Sequence, residues 1–115
     1  METDCIFCRI AAGEAPAAIV YHDDEITAFW DRHPAAPVHI LVIPNEHMDT
    51  LNQADAEDTH ILGKMILTAK EIAAKEGVDE RGYRLVVNTG PDGGQGVYHV
   101  HLHLIAGKKL PVFHG

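Results

Sequence analysis

Apolar residues along this chain recur with two different periods, and the periods divide it into elements. "AIVYHD" (18–23) and "ITAFWD" (26–31) are strand-like runs separated by an acidic turn, "DDE". "HPAAP" breaks the chain, and "VHILVIP" (38–44) predicts a strand ended by Pro44. Within it His39, Leu41 and Ile43 face one way and Val38, Ile40 and Val42 the other. From about Asp55 to Glu76 the period becomes helical: Ile61, Leu62, Met65, Ala69, Ile72 and Ala73 form one core-facing stripe. Asp55 is the expected N-cap with Asp58 three residues on, and Gly77 the expected residue after the C-cap. "YRLVVN" (83–88) and "VYHVHLHLIA" (97–106), joined by the glycine-rich "TGPDGGQG", predict an antiparallel pair. "CIFCRIAAGEAP" predicts a short N-terminal helical turn closed by Gly13 and ended by Pro16. About five antiparallel strands with one long helix make an α+β layer architecture.

Length and charge narrow the class. At 115 residues and 46% hydrophobic content, residues 1–115 are expected to form one domain with a real core. A formal charge of −8 argues against a nucleic-acid partner, which needs a basic face. No apolar run approaches the roughly 18 residues of a spanning helix, so no membrane partner is expected. The start "METDCIFCRI" is acidic where a signal peptide is basic, which predicts a cytoplasmic protein. There, the C-x-x-C pair Cys5 and Cys8 is a metal-ligand or redox pair sooner than a structural disulfide.

The chemistry concentrates in "HVHLHL". Three of the nine histidines, His99, His101 and His103, share one strand face, with Val100, Leu102 and Leu104 on the other. Burying three imidazoles demands a partner for every ring nitrogen, whereas strand propensity alone would place Val or Thr there. A solvated, histidine-rich face is the bland alternative. A metal held by the three is disfavoured, because same-face positions spread along a line rather than around a tetrahedron. Nucleophilic catalysis by imidazole is the other reading. Upstream, Gly93, Gly94 and Gly96 allow the N–H groups of Gly94, Gln95, Gly96 and Val97 to converge on an anion. A flexible hairpin connection is the plain alternative for that loop.

"HVHLHL" preceded by "GGQGVY" resembles the signature of the histidine triad (HIT) superfamily of nucleotide hydrolases and transferases. "DCIFCRIAAGEAPA", "AFWD", "HILVIPNEH" and "YRLVVNTGPDGGQ" resemble its HINT branch in the same order, over nearly the whole chain. A histidine rather than glutamine at position 103 points to hydrolysis rather than nucleotidyl transfer. The resemblance implies that His101 is the nucleophile on the α-phosphorus of an AMP-type purine nucleotide, forming a nucleotidyl-histidine that water resolves. It gives His103 to the phosphate oxygens, His39 to the triad's hydrogen-bond network and His99 a place beside the nucleophile. Ile6, Phe7, Ile10, Phe29 and Leu41 match an apolar nucleoside slot, Asp31 a carboxylate on the ribose, and Asn88 a residue near the phosphate. By the residues alone, Phe7 and Phe29 would be core and Asp31 a turn residue.

The same resemblance implies a structural zinc on Cys5, Cys8, His47 and His99, no catalytic cofactor, and a homodimer whose "KKLPVFHG" tail nears the neighbour's site. His60, His22, His33 and His114 are expected at the surface. Two positions depart from the family pattern. Gly96 stands where a Ser or Thr hydroxyl usually sits near the leaving group, and Arg32 replaces an apolar pocket residue, which bears on base selectivity. The activity implied is a purine nucleoside phosphoramidase. Its rivals are a dinucleotide polyphosphate or adenylyl sulfate hydrolase, and a nucleotide-binding scaffold with weak catalysis.

Overall fold

Strand alternation has one consequence that organises this molecule: each central strand must bury both faces. In the structure, a computed structural model describing residues 4–112, the strands β1 (Ile19–His22), β2 (Ile26–Trp30), β3 (Val38–Pro44), β4 (Tyr83–Val86) and β5 (Leu102–Ala106) form one antiparallel sheet. Their order is β1-β2-β3-β5-β4. Helix α2 (Thr59–Lys75) covers one face, where Ile26, Ala28, Ile40, Val42, Val100, Leu102 and Leu104 pack on Met65, Ala69, Ile72 and Ala73. The short helix α1 (Ile6–Ala11) lies on the other face, where Phe7 and Ile10 meet Phe29, Leu41 and Ile43. This second face also carries the histidines.

The α+β architecture, the antiparallel pairing and the two faces of 38–44 are as the periodicity predicts. Ile61 and Leu62 are only partly buried, and Thr68 joins the helix's buried stripe. The helix begins later than expected. Asp55 and Asp58 do form a reciprocal capping box, but it caps a 3₁₀ turn (Ala56–Asp58) that feeds α2. Gly77 adopts φ +74°, as the residue after the helix should.

The histidine segment departs most from expectation. The strand expected over 97–106 is regular only from Leu102, so His99 and His101 precede it. Pro44 ends the partner strand without an N–H to donate, and its carbonyl accepts from the His99 ring (2.8 Å) instead. The Val100 N–H goes to Met48 O at 2.7 Å. Alternation nonetheless persists, with Val100, Leu102 and Leu104 on the α2 face. Strand β4 likewise stops at Val86, two residues short of Asn88.

Leu104 is fully buried between β3 and α2. Leu104→Ala is expected to lower the free energy of unfolding by about 2–5 kcal/mol, measured as a shift of the urea midpoint at unchanged slope.

Candidate active site

The site begins with a hydrogen-bond rule: a carbonyl only accepts, and a backbone N–H only donates. His101 Nδ1 lies 2.8 Å from the His99 carbonyl, so Nδ1 carries a proton and, in the neutral ring, Nε2 keeps its lone pair. His39 Nδ1 accepts the Ala35 N–H at 2.9 Å, so neutral His39 is protonated on Nε2. That Nε2–H donates to His103 Nδ1 at 2.9 Å, and Asp31 Oδ2 lies 3.4 Å from the same nitrogen. His103 is therefore protonated on Nε2. Two imidazoles with centroids 4.9 Å apart present opposite functions, His101 an acceptor and His103 a donor. Phe7 packs edge-on against the His101 ring, centroids 5.2 Å apart, and fixes its plane.

Burial drives the His103 pKa down to about 4 from its usual 6.5, with the neighbouring His101 and His39 adding to the effect and Asp31 opposing it. At neutral pH the ring is an uncharged donor.

Asp31, His39 and His103 are close enough to suggest a cation site. The Ala35 N–H argues against one. A cation on His39 Nε2 would force the proton onto Nδ1, facing another donor. A shared proton suits this trio better.

These groups open onto a cavity of about 490 Å³. Of the residues singled out in the sequence, Ile6, Phe7, Ile10, Phe29, Asp31, Leu41, Asn88, Gly94, Gly96, Val97, His101 and His103 line it. His39 reaches it through His103. Gln95 does not line it. Its buried side chain instead accepts from Gly90 N and donates to Asp49 O and Val97 O, which braces the loop. The four-amide nest also shrinks: Gly94 N–H bonds Pro91 O and Gln95 N–H bonds Gly90 O. Among the described residues, only the amides of Gly96 and Val97 remain available to an anion there. The turn itself requires glycine, since a Cβ on Gly93 would sit 2.3 Å from Thr89 O. Pro16, Ala17, Trp30, Arg32 and His33 line the cavity as well. Apart from Arg32, none of these carried a sequence signal for it.

Behind the triad lies a second cluster. Cys5, Cys8, His47 and His99 bring four ligand atoms within 4.8 Å of one another. Cys5 Sγ is 3.3 Å from His99 Nδ1, and Cys8 Sγ is 3.2 Å from His47 Nδ1 and 3.5 Å from His99 Nδ1. A tetrahedral zinc with ordinary Zn–S and Zn–N lengths sets such edges near ~3.5 Å. Both rings are anchored for the role: His99 Nε2–H donates to Pro44 O, and His47 Nε2 lies 2.5 Å from Asp49 Oδ1. Each Nδ1 lone pair is thereby turned to the centre. Burial holds the His99 pKa below its usual value, against the opposing pull of the Pro44 bond. The donor set fits zinc. His22 and His33 are exposed as expected; His60 is exposed and pairs with Glu25, while His114 lies outside the described residues.

The HIT domain family model matches residues 12–110. The chain belongs to the HIT family. The purine nucleoside phosphoramidase of Escherichia coli K12 is 50% identical over 110 residues, covering 96% of this chain and 92% of that protein. A histidine triad protein from Clostridium difficile superposes with a TM-score of 0.96 at 45% identity, over 99% of both chains. A zinc-bound histidine triad family protein from Mycobacterium smegmatis gives a TM-score of 0.78 at 29% identity, over 91% of this chain and 76% of that one.

The lowered His103 pKa fixes the sign of a pH effect in this HIT protein. An unfolded chain takes up the proton as pH falls through 6.5, and the folded one resists until about 4. The stability that His103 contributes is complete above pH 6.5 and lost as pH falls towards 4. Between pH 7 and 4, thermal midpoints should fall more steeply for the unaltered protein than for His103→Gln; parallel profiles would contradict the assignment.

Proposed function

We propose that this chain is a purine nucleoside phosphoramidase that hydrolyses AMP-type substrates through a nucleotidyl intermediate on His101. The tautomer of His101 carries the reading: its Nδ1–H is held by the His99 carbonyl, so in the neutral ring Nε2 keeps the lone pair of a nucleophile. A bond forms between Nε2 and the α-phosphorus as the P–N bond to the amine breaks. The amine leaves with a proton that water supplies, since Gly96 brings no hydroxyl. Water then attacks the phosphorus, returning to solvent the proton the amine took from it; the P–Nε2 bond breaks, its electron pair goes back to Nε2, and the nucleoside monophosphate departs. The His103 Nε2–H and the Gly96 and Val97 amides stabilise the phosphate oxygens in both steps. Phe7, Phe29, Ile10 and Leu41 hold the base, and Asp31 accepts from the ribose hydroxyls.

The four-donor cluster supports a structural zinc held by Cys5, Cys8, His47 and His99. Bound there, the ion would be fully coordinated by protein and would supply rigidity rather than chemistry. His99 would then be fixed at both ring nitrogens while its carbonyl orients His101. No catalytic cofactor is needed on this reading. The edge of the sheet at β4 and the exposed Ile66 and Leu67 of α2 support a homodimer. A cytoplasmic location, in which Cys5 and Cys8 stay reduced, completes the reading. Among the described residues no helix is long and apolar enough to cross a membrane.

Turnover of adenosine phosphoramidate tests the activity. His101→Ala should lower kcat by at least about 10³-fold, as loss of a nucleophile does, and still bind AMP in calorimetry. An unaltered protein that binds AMP without turning over any P–N substrate would instead be a nucleotide-binding protein. For the metal, elemental analysis should find about one zinc per chain. Cys8→Ser should remove it and lower the thermal midpoint.

A further inference from the structure

Residues 31 and 32 are consecutive, yet both line the nucleotide cavity. Had β2 continued, they would face opposite sides. The strand ends at Trp30, and Asp31 Oδ1 takes the His33 N–H at 2.8 Å, a turn of the chain after which both residues border the cavity. Arg32 is exposed at the rim and makes no ion pair with a carboxylate among the described residues. Among the described residues it is the one permanently cationic side chain in the lining.

On the reading above, the phosphorus sits at His101 and the ribose at Asp31, so the base lies beyond Asp31. The apolar walls cover the base's faces. Its polar edge must then turn towards the open rim, where Arg32 stands. A guanidinium carries donors only. Guanine and hypoxanthine offer it two adjacent acceptors, O6 and N7, the pair that arginine engages with both arms. Adenine offers N7 beside an N6 amino group, so one arm would meet a donor.

We propose that Arg32 selects the base and makes this pocket prefer 6-oxopurine nucleotides to adenine nucleotides. This deepens the phosphoramidase reading, moves its preferred substrate from AMP-type to guanine and hypoxanthine nucleotides, and rests on its placement of the nucleoside. A cation that merely attracted phosphate would favour all bases alike, so the ratio between bases carries the test. The kcat/KM for guanosine phosphoramidate should exceed that for adenosine phosphoramidate roughly tenfold or more. Inosine should behave like guanosine, which separates O6 from the 2-amino group. In Arg32→Leu the ratio should fall to about one. Arg32→Lys keeps the charge without the fork and should also lose most of it.

Calorimetric binding of GMP, IMP and AMP to the same proteins gives a readout independent of turnover. Should no phosphoramidate be hydrolysed while GMP and IMP bind more tightly than AMP and Arg32→Leu removes the difference, the base-selecting role stands and the hydrolase reading falls. A ratio at or below one in the unaltered protein, or an unchanged ratio in Arg32→Leu, overturns the proposal.

Discussion

One buried histidine, His99, carries the constraint on which the site depends. With no exposed surface, all of its polar atoms need partners, and each partner belongs to a different part of the molecule. Its Nε2–H ends β3 at Pro44, its Nδ1 faces the thiols of Cys5 and Cys8, and its carbonyl receives the proton of His101. Helix α1 begins at those cysteines, with Cys5 accepting the Cys8 N–H as its N-cap. The same helix brings Ile6, Phe7 and Ile10 to the cavity. The apolar wall of the cavity and the His101 ring are thus anchored to one imidazole. Losing that anchor would loosen both.

The proposed binding of a phosphate by a chain of charge −8 poses an electrostatic problem, and the geometry answers it locally. Neither His101 nor His103 must be cationic to help. Fixed tautomers make one an acceptor and the other a donor, and two amides of the glycine-rich turn add further donors. Oriented dipoles of this kind need not reorganise when charge develops on phosphorus. The division of the sheet allows it: α2 and the aliphatic side chains supply the stability on one face, leaving the other for polar groups held at fixed distances. Gln95 and Asp49 link that face together, since the Gln95 amide donates to the Asp49 carbonyl and the Asp49 carboxylate orients His47.

Much of this was legible in the residues, because period-two and helical patterns report burial directly. The faces of 38–44 and the stripe of α2 follow from that, and so does the aliphatic face of Val100, Leu102 and Leu104. The extent of β5 was not legible: whether a ladder continues depends on the partner, and Pro44 withholds an N–H that local propensity cannot register. The glycine-rich turn was over-read for a related reason. Gly94 and Gln95 satisfy their own amides within the turn, and a count of glycines does not show which N–H groups are left over. C-x-x-C announced a pair of ligands, but the residues facing them lie 39 to 94 positions away along the chain, beyond the reach of any local pattern. Only the family resemblance joined them. Asp31 and Arg32 entering one cavity together likewise depends on a side chain-to-backbone bond at His33.

The central claim is the tautomer pattern set by the His99 carbonyl and the Ala35 amide, and nitrogen-15 NMR of the uncharged imidazoles tests it most directly. The account predicts His101 protonated on Nδ1 with a bare Nε2, and His103 protonated on Nε2. A neutral His101 ring bearing its proton on Nε2 would leave no nucleophile facing the cavity and would contradict it.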